Sequence, residues 1–475
     1  MGVERAKRPP IDSLRDHHLF VHIVNAPVNT PRKIPAVVLG GGISGLTAAR
    51  ILQENSQEYV LLERCPTLGG LTRTIEVNEY CFDYTGHFLH LSRYASPGDI
   101  PYANLRNEEW TQVRRRSCCF VGDKFISAPI QYNLSELPSP LFEQCVESYE
   151  NRPALLDDDC ATFRDYLVSG FGAVLADLFL IPQNEKTMAI PLDRLSKRAV
   201  RRFFPAPDET LVRAGIRGEP SNGGYNSTFW YPKVGGISRL VAGLRSGLEE
   251  CLVNQDVIAL SLRNRTAVTK NTATFSWDTL FSSMPLKALC EMSEDDGLVS
   301  AAASLSHSST ISFNIGLRAP LRPEFSGIHW LYVPDRRIPF YRVGFYSNIG
   351  RGTCTPDRSS IYVEVGATPE DLERTTLVAD LQPMVILALQ DLGWLDIRDV
   401  DCVVAHTMRC AYVHHTPQRD TAVKYILDRL REYQVFPIGR YGTWDYTSME
   451  DSMESARQTV MEALQTAMTG QVDAA

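Results

Sequence analysis

Three glycines inside a six-residue run set the first chemical possibility in this chain. Gly40-Gly41-Gly42-Ile43-Ser44-Gly45 follows the short apolar stretch 34–39 (IPAVVL) and precedes a helical pattern over 46–52. Gly40 permits a tight turn, Gly42 lets the backbone approach a pyrophosphate, and Gly45 allows close packing of helix on strand. Amides at the helix start, with Ser44 among them, and the helix dipole then favour two phosphates. Glu63 closes a second apolar run, 58–63, at the position where a carboxylate accepts ribose hydroxyls. Strand, glycine turn, helix and strand in this order predict a dinucleotide-binding unit. His406 and the adjacent His414 and His415 raise the question of a metal. No cysteine or carboxylate spacing completes a ligand set around them, so none is expected.

The elements that must position this turn span a long chain. At 475 residues it suits two domains rather than one core. A net charge of −8 argues against nucleic acid or an anionic membrane as a general partner. No apolar run reaches the roughly 18 residues of a transmembrane helix, and residues 1–32 lack the apolar core of a secretory signal. The 11 cysteines form no CxxC pair, which predicts a reduced chain and a cytoplasmic location. Residues 1–33 form an extension, 158–211 a largely helical stretch, and 275–284 and 359–365 alternate as strands. Met453, Val460, Leu464 and Met468 give a final amphipathic helix over 450–468.

The segment after Glu63 narrows the cofactor. Gly69-Gly70-Leu71-Thr72 follows it after five residues, and this spacing resembles FAD proteins of the amine-oxidase and glutathione-reductase type. The resemblance implies that Gly70, Leu71 and Thr72 run along FAD. Gly439-Arg440-Tyr441-Gly442 through Asp451 is similar to the closing motif of those proteins. It implies an arginine at the FAD phosphates, Arg440, and a helix N-terminus, at Met449, facing the flavin. Val257 is a further cofactor contact implied by the same likeness.

Six segments in one order resemble UDP-galactopyranose mutases, from residue 34 to the last helix. They are Phe82-Asp83-Tyr84-Thr85-Gly86-His87, Gln131-Tyr132-Asn133-Leu134, Asn184-Glu185-Lys186, Asn226-Ser227-Thr228-Phe229-Trp230-Tyr231-Pro232, Trp330-Leu331-Tyr332 and Tyr341-Arg342. The resemblance implies that reduced flavin forms an N5 adduct with the sugar of a nucleotide-sugar, exchanging pyranose and furanose rings without net oxidation. NAD(P)H is the implied reductant. Gly86 and His87 are then expected beside the flavin, and Arg202 and Arg342 at the diphosphate, where guanidinium offers paired charged donors. Gln131, Asn226, Tyr332, Tyr412 and Tyr446 are the implied substrate contacts. The expected fold is α/β, with a discontinuous FAD domain of 34–105, 222–290 and 400–470. A substrate domain of helices and mixed sheet fills 106–221 and 291–399.

Departures from the mutase pattern keep the reaction open. Gln183 and Met188 stand where aromatic rings normally form the nucleotide pocket, Ala128 replaces a further ring, and Thr85 stands in place of glycine. A different nucleotide, a different sugar or no nucleotide fits these changes. The alternative is an oxidoreductase of amine-oxidase or protoporphyrinogen-oxidase type, passing hydride to the flavin.

Overall fold

A computed structural model describes residues 30–153, 162–197, 207–219, 227–350 and 352–472. Its first sheet is organised around the strand Arg32–Leu39. Arg32–Leu39 lies between Tyr59–Leu62 and Thr274–Ser282, parallel to both. Tyr59–Leu62 is buried along its whole length, as a strand covered on both faces should be. Cys251–Leu252 and Val435–Pro437 add parallel partners at either side, and Val257–Ser261 with Thr266–Thr269 extends the sheet antiparallel. One face is covered by the helix Ile43–Glu54, against which Met453, Ala456 and Val460 of the helix Met449–Val472 pack. The opposite face is covered by Leu286, Leu289, Leu298 and Ala302, with Val423 and Ile426 of the helix Arg419–Glu432.

The second sheet runs in the order Val400–Val413, His307–Leu317, Ser359–Ala367, Arg342–Phe345, Trp330–Tyr332, Ser117–Val121 and Lys124–Ser127. Its pairs are antiparallel except Trp330–Tyr332 with Ser117–Val121. The helix Leu377–Asp391 closes one side through Val385, Ile386 and Leu389. Helices within 163–216 form a separate apolar cluster beside it.

The α/β class and the paired architecture agree with the sequence, while the division of the chain differs in two places. Val400–Val413, expected with the FAD segments, is an edge of the second sheet, because it pairs along nearly all of His307–Leu317. The helix Asp296–Ala302, expected in the substrate segment, buries Leu298 and Ala302 under the first sheet. A strand's pattern encodes its faces and leaves its partner to tertiary packing.

Candidate active site

The glycine turn is built by close approach. A Cβ on Gly45 would lie 1.8 Å from the Gly40 carbonyl oxygen, so only glycine lets the helix start this near the strand. Gly42 caps the helix Ile43–Glu54 without any side-chain hydrogen bond, leaving its first-turn amides for an incoming anion. Glu63 accepts from the Gly41 amide at 2.6 Å and from the Cys65 amide at 2.8 Å. The Gly69 amide donates to the Gly41 carbonyl at 2.7 Å, so the second glycine loop lies directly on the first. Arg73 holds that loop through the Gly70 carbonyl and stacks on Tyr84, which stacks in turn on His406. A clamp thus joins the glycine loops to the second sheet.

A cleft of about 350 Å³ opens between these loops, the second sheet and the start of Met449–Val472. Ser44, Gly70, Leu71, Thr72, Gly86 and Met449, expected beside the cofactor, line it. His87, Arg342, Tyr412, Arg440 and Tyr446 line it as well, so the structure brings these five expected residues together. Gly40, Gly42, Gly45 and Glu63 shape the turn from behind. Gln131 is 4% exposed on a short helical turn, Tyr332 packs between two apolar clusters, and Val257 is buried in a strand of the first sheet. None of these three is on the cleft wall among the described residues. Arg202 and Asn226 lie outside the described residues.

The helix at Met449 is capped by its own sequence. The Ser448 hydroxyl accepts from the Asp451 amide at 3.2 Å, and the Asp451 carboxylate accepts from the Ser448 amide and hydroxyl. Glu450 accepts the amides of Ser92 and Arg93 at 2.9 and 2.8 Å, fixing the segment after His87 to this helix.

Two cationic side chains at the cleft differ in their surroundings. Arg342 gives Nε and Nη2 to the two oxygens of Glu364 at 2.5 and 2.7 Å, a bidentate pair set by direct cross-strand register. Its Nη1 makes no hydrogen bond among the described residues. Arg440 has no carboxylate partner among the described residues. Its Nη1 and Nη2 donate to the carbonyls of Thr447 and Ala411, its Nε is buried without a partner, and Tyr446 lies under the guanidinium at 4.2 Å. A desolvated cation so placed is suited to an anionic oxygen.

His87 edges the cleft with part of its ring, while its Nδ1 is shut in and unpartnered among the described residues. Burial, then Arg440 and Arg342, lower its pKa from 6.5 to about 3. The imidazole is therefore neutral at physiological pH. Gly86 is glycine because a Cβ there would fall 2.2 Å from the Tyr362 hydroxyl. Asp83 anchors the same segment from below, accepting from Thr74, Tyr231 and the Ile237 amide.

Behind Arg342, Lys186 donates to the carbonyls of Val333, Asp335 and Phe340 at 2.7, 2.8 and 2.5 Å. Gln183 donates to the Tyr341 carbonyl at 3.0 Å. Gln183 and Met188, the departures from the mutase pattern, are both buried off the cleft. The sequence did not single out Glu364 or Tyr341 as site residues. A lone carboxylate in the apolar strand Ser359–Ala367 was the available signal for the first.

The turn matches an NAD(P)-binding Rossmann-like domain over residues 38–97. A solved structure of reduced UDP-galactopyranose mutase superposes with a TM-score of 0.83 at 24% identity, covering 92% of this chain and 96% of that one. The chain has the fold of UDP-galactopyranose mutase. The same architecture extends to a provisionally assigned protoporphyrinogen oxidase from Exiguobacterium sp. 255-15, at 16% identity and a TM-score of 0.69. That match covers 91% of this chain and 99% of the other. By sequence, all-trans-retinol 13,14-reductase of Rattus norvegicus is 30% identical over 98 residues, 20% of this chain. The match spans only 16% of that reductase's length. No helix among the described residues is long and apolar enough to cross a membrane.

Proposed function

We propose that this protein is an FAD-dependent enzyme of the mutase kind, acting on a nucleotide-sugar while its flavin is reduced. The single observation behind this is the convergence of His87, Arg342, Arg440, Tyr412 and Tyr446 on one cleft beside the glycine turn. The residues present suit FAD: the uncapped first turn at Gly42 is open to phosphate, Glu63 offers a carboxylate beside that turn, and Ser448 and Met449 at the start of Met449–Val472 line the cleft. Bound reduced FAD supplies a nucleophilic nitrogen there, so isomerisation needs no net oxidation. Arg440, ringed by Tyr412, Tyr441 and Tyr446, suits FAD phosphate oxygen, and Arg342 suits the diphosphate as negative charge builds on the departing nucleotide. Arg342 adds Nη1, and Arg202 is the expected second arm of that clamp. Neutral His87 edges the cleft without adding charge beside the flavin.

The test is direct. Purified protein should carry visible flavin absorbance, and after dithionite or NAD(P)H reduction it should convert one nucleotide-sugar among UDP- and GDP-hexoses into an isomer. Colourless protein that cannot be reconstituted with FAD ends the proposal.

A second reading, an FAD-dependent oxidoreductase, draws on one observation. Glu364 already compensates the Arg342 charge, which lowers the cleft's demand for an anionic substrate. Oxygen consumption with peroxide release, and an oxidised product in place of an isomer, would support it.

A further inference from the structure

We infer that Thr85 is a positioning residue that joins Arg342 to the loop carrying His87, an inference that rests on the cleft reading proposed above. Thr85 is 5% exposed, and its hydroxyl donates to Glu364 Oε1, the oxygen that also accepts from Arg342 Nη2. The Glu364 carboxylate is therefore held by three donors, two from the arginine and one from the loop. Its side chain is 1% exposed, so water does not replace a donor that is lost. On its other side Thr85 accepts, through its carbonyl, the amide of His87 at 2.7 Å. Gly86 between them is pressed onto the Tyr362 ring, which leaves this short segment little room to move independently.

The consequence is geometric. Glu364 takes Nε and Nη2 of Arg342, so the plane of the carboxylate decides where Nη1 points. Thr85 fixes that plane from the His87 side. An anion that pulls on Nη1 thus acts through Glu364 and Thr85 on the backbone that sets His87. Thr85 lies on the cleft wall with its hydroxyl committed to Glu364, and through that bond it orients Arg342 and the loop of His87.

Valine matches the shape of threonine and lacks its donor, whereas serine keeps the donor, so T85V and T85S separate the bond from the packing. Inorganic pyrophosphate is titrated into purified full-length protein by calorimetry, and the visible flavin spectrum is followed in parallel. T85V should bind pyrophosphate about three- to tenfold more weakly, the range expected when one bond to a buried charge is removed and part of the loss is relayed. Its ligand-induced flavin shift should shrink, while T85S stays close to wild type in both readouts. E364Q removes the carboxylate that Thr85 orients, so T85V/E364Q should bind pyrophosphate as E364Q alone does. Equal affinity in T85V and wild type, a T85S as weak as T85V, multiplicative losses, or a wild type that does not bind pyrophosphate overturns the inference. If T85V does not fold, T85A replaces it with the same expected losses. Protein without flavin would sink the proposed function, while the calorimetric comparison would still decide the role of Thr85.

Discussion

The Gly41 amide and the Glu63 carboxylate meet at 2.6 Å, joining the glycine turn to the end of the neighbouring parallel strand. One oxygen of Glu63 serves the turn and the other serves Cys65. The same carboxylate that would receive a ribose is thus also what holds the turn in shape.

Glu63→Gln leaves one of those two amides facing an NH₂ group it cannot donate to. The expected cost is about 1–3 kcal/mol, the usual value for an orphaned buried partner. It should be visible as loss of flavin during dialysis and a weaker FAD dissociation constant. Unchanged FAD retention would remove Glu63 from the cofactor site.

Asp83 supplies a pH test. Burial raises its pKa from 3.8 to about 6, against three donors that pull it down. The folded protein keeps this proton up to about pH 6, whereas the unfolded chain releases it near 3.8. Its stabilising contribution is therefore full below about pH 4 and is withdrawn as pH rises through the 4–6 window. The shift corresponds to about 3 kcal/mol at roughly 1.4 kcal/mol per unit. Urea midpoints of wild type should fall relative to Asp83→Asn across that window, and parallel curves would refute the assignment.

Lys186→Met removes the donor shared by Val333, Asp335 and Phe340. Burial lowers the ammonium's pKa to about 7, and the Asp335 carboxylate opposes that pull. The variant should lose about 2–4 kcal/mol in denaturant unfolding. It should also weaken UDP binding, because the segment it ties down leads directly into Arg342.

Arg342 and Arg440 should respond differently to removal. Arg342→Ala strands the Glu364 carboxylate in the interior, at about 3–5 kcal/mol, and adding Glu364→Gln should recover part of that stability. Arg440→Met leaves no carboxylate unpaired among the described residues, so its unfolding should change far less while FAD or diphosphate affinity drops. Thermal melts beside ligand titrations separate the two patterns.

Much of the frame was legible in the sequence. The apolar run 34–39 lies within the strand Arg32–Leu39, the alternating run 359–365 within Ser359–Ala367, and the helix expected over 450–468 within Met449–Val472. These are segments whose period alone names the element. Glu364 was hidden for the opposite reason. Its meaning comes from standing across from Arg342 in the paired strands, a relation that exists only after the sheet forms. Thr85 stood out only as a departure, and its partner was invisible until Ser359–Ala367 was placed beside the loop. Val400–Val413 was assigned by its neighbours in sequence and belongs by its hydrogen bonds to the other sheet.

That last strand bears on how the protein is made. Tyr412 near its end, Arg440 after the return strand Val435–Pro437, and Val460 packed on the first helix all emerge from the ribosome hundreds of residues after the glycine turn. Until then the turn has no roof and the strand Thr274–Ser282 lacks its neighbour Val435–Pro437. On the proposed FAD reading, cofactor loading is then a late event in biogenesis, and a ribosome stalled before residue 400 would hold a nascent chain unable to retain FAD.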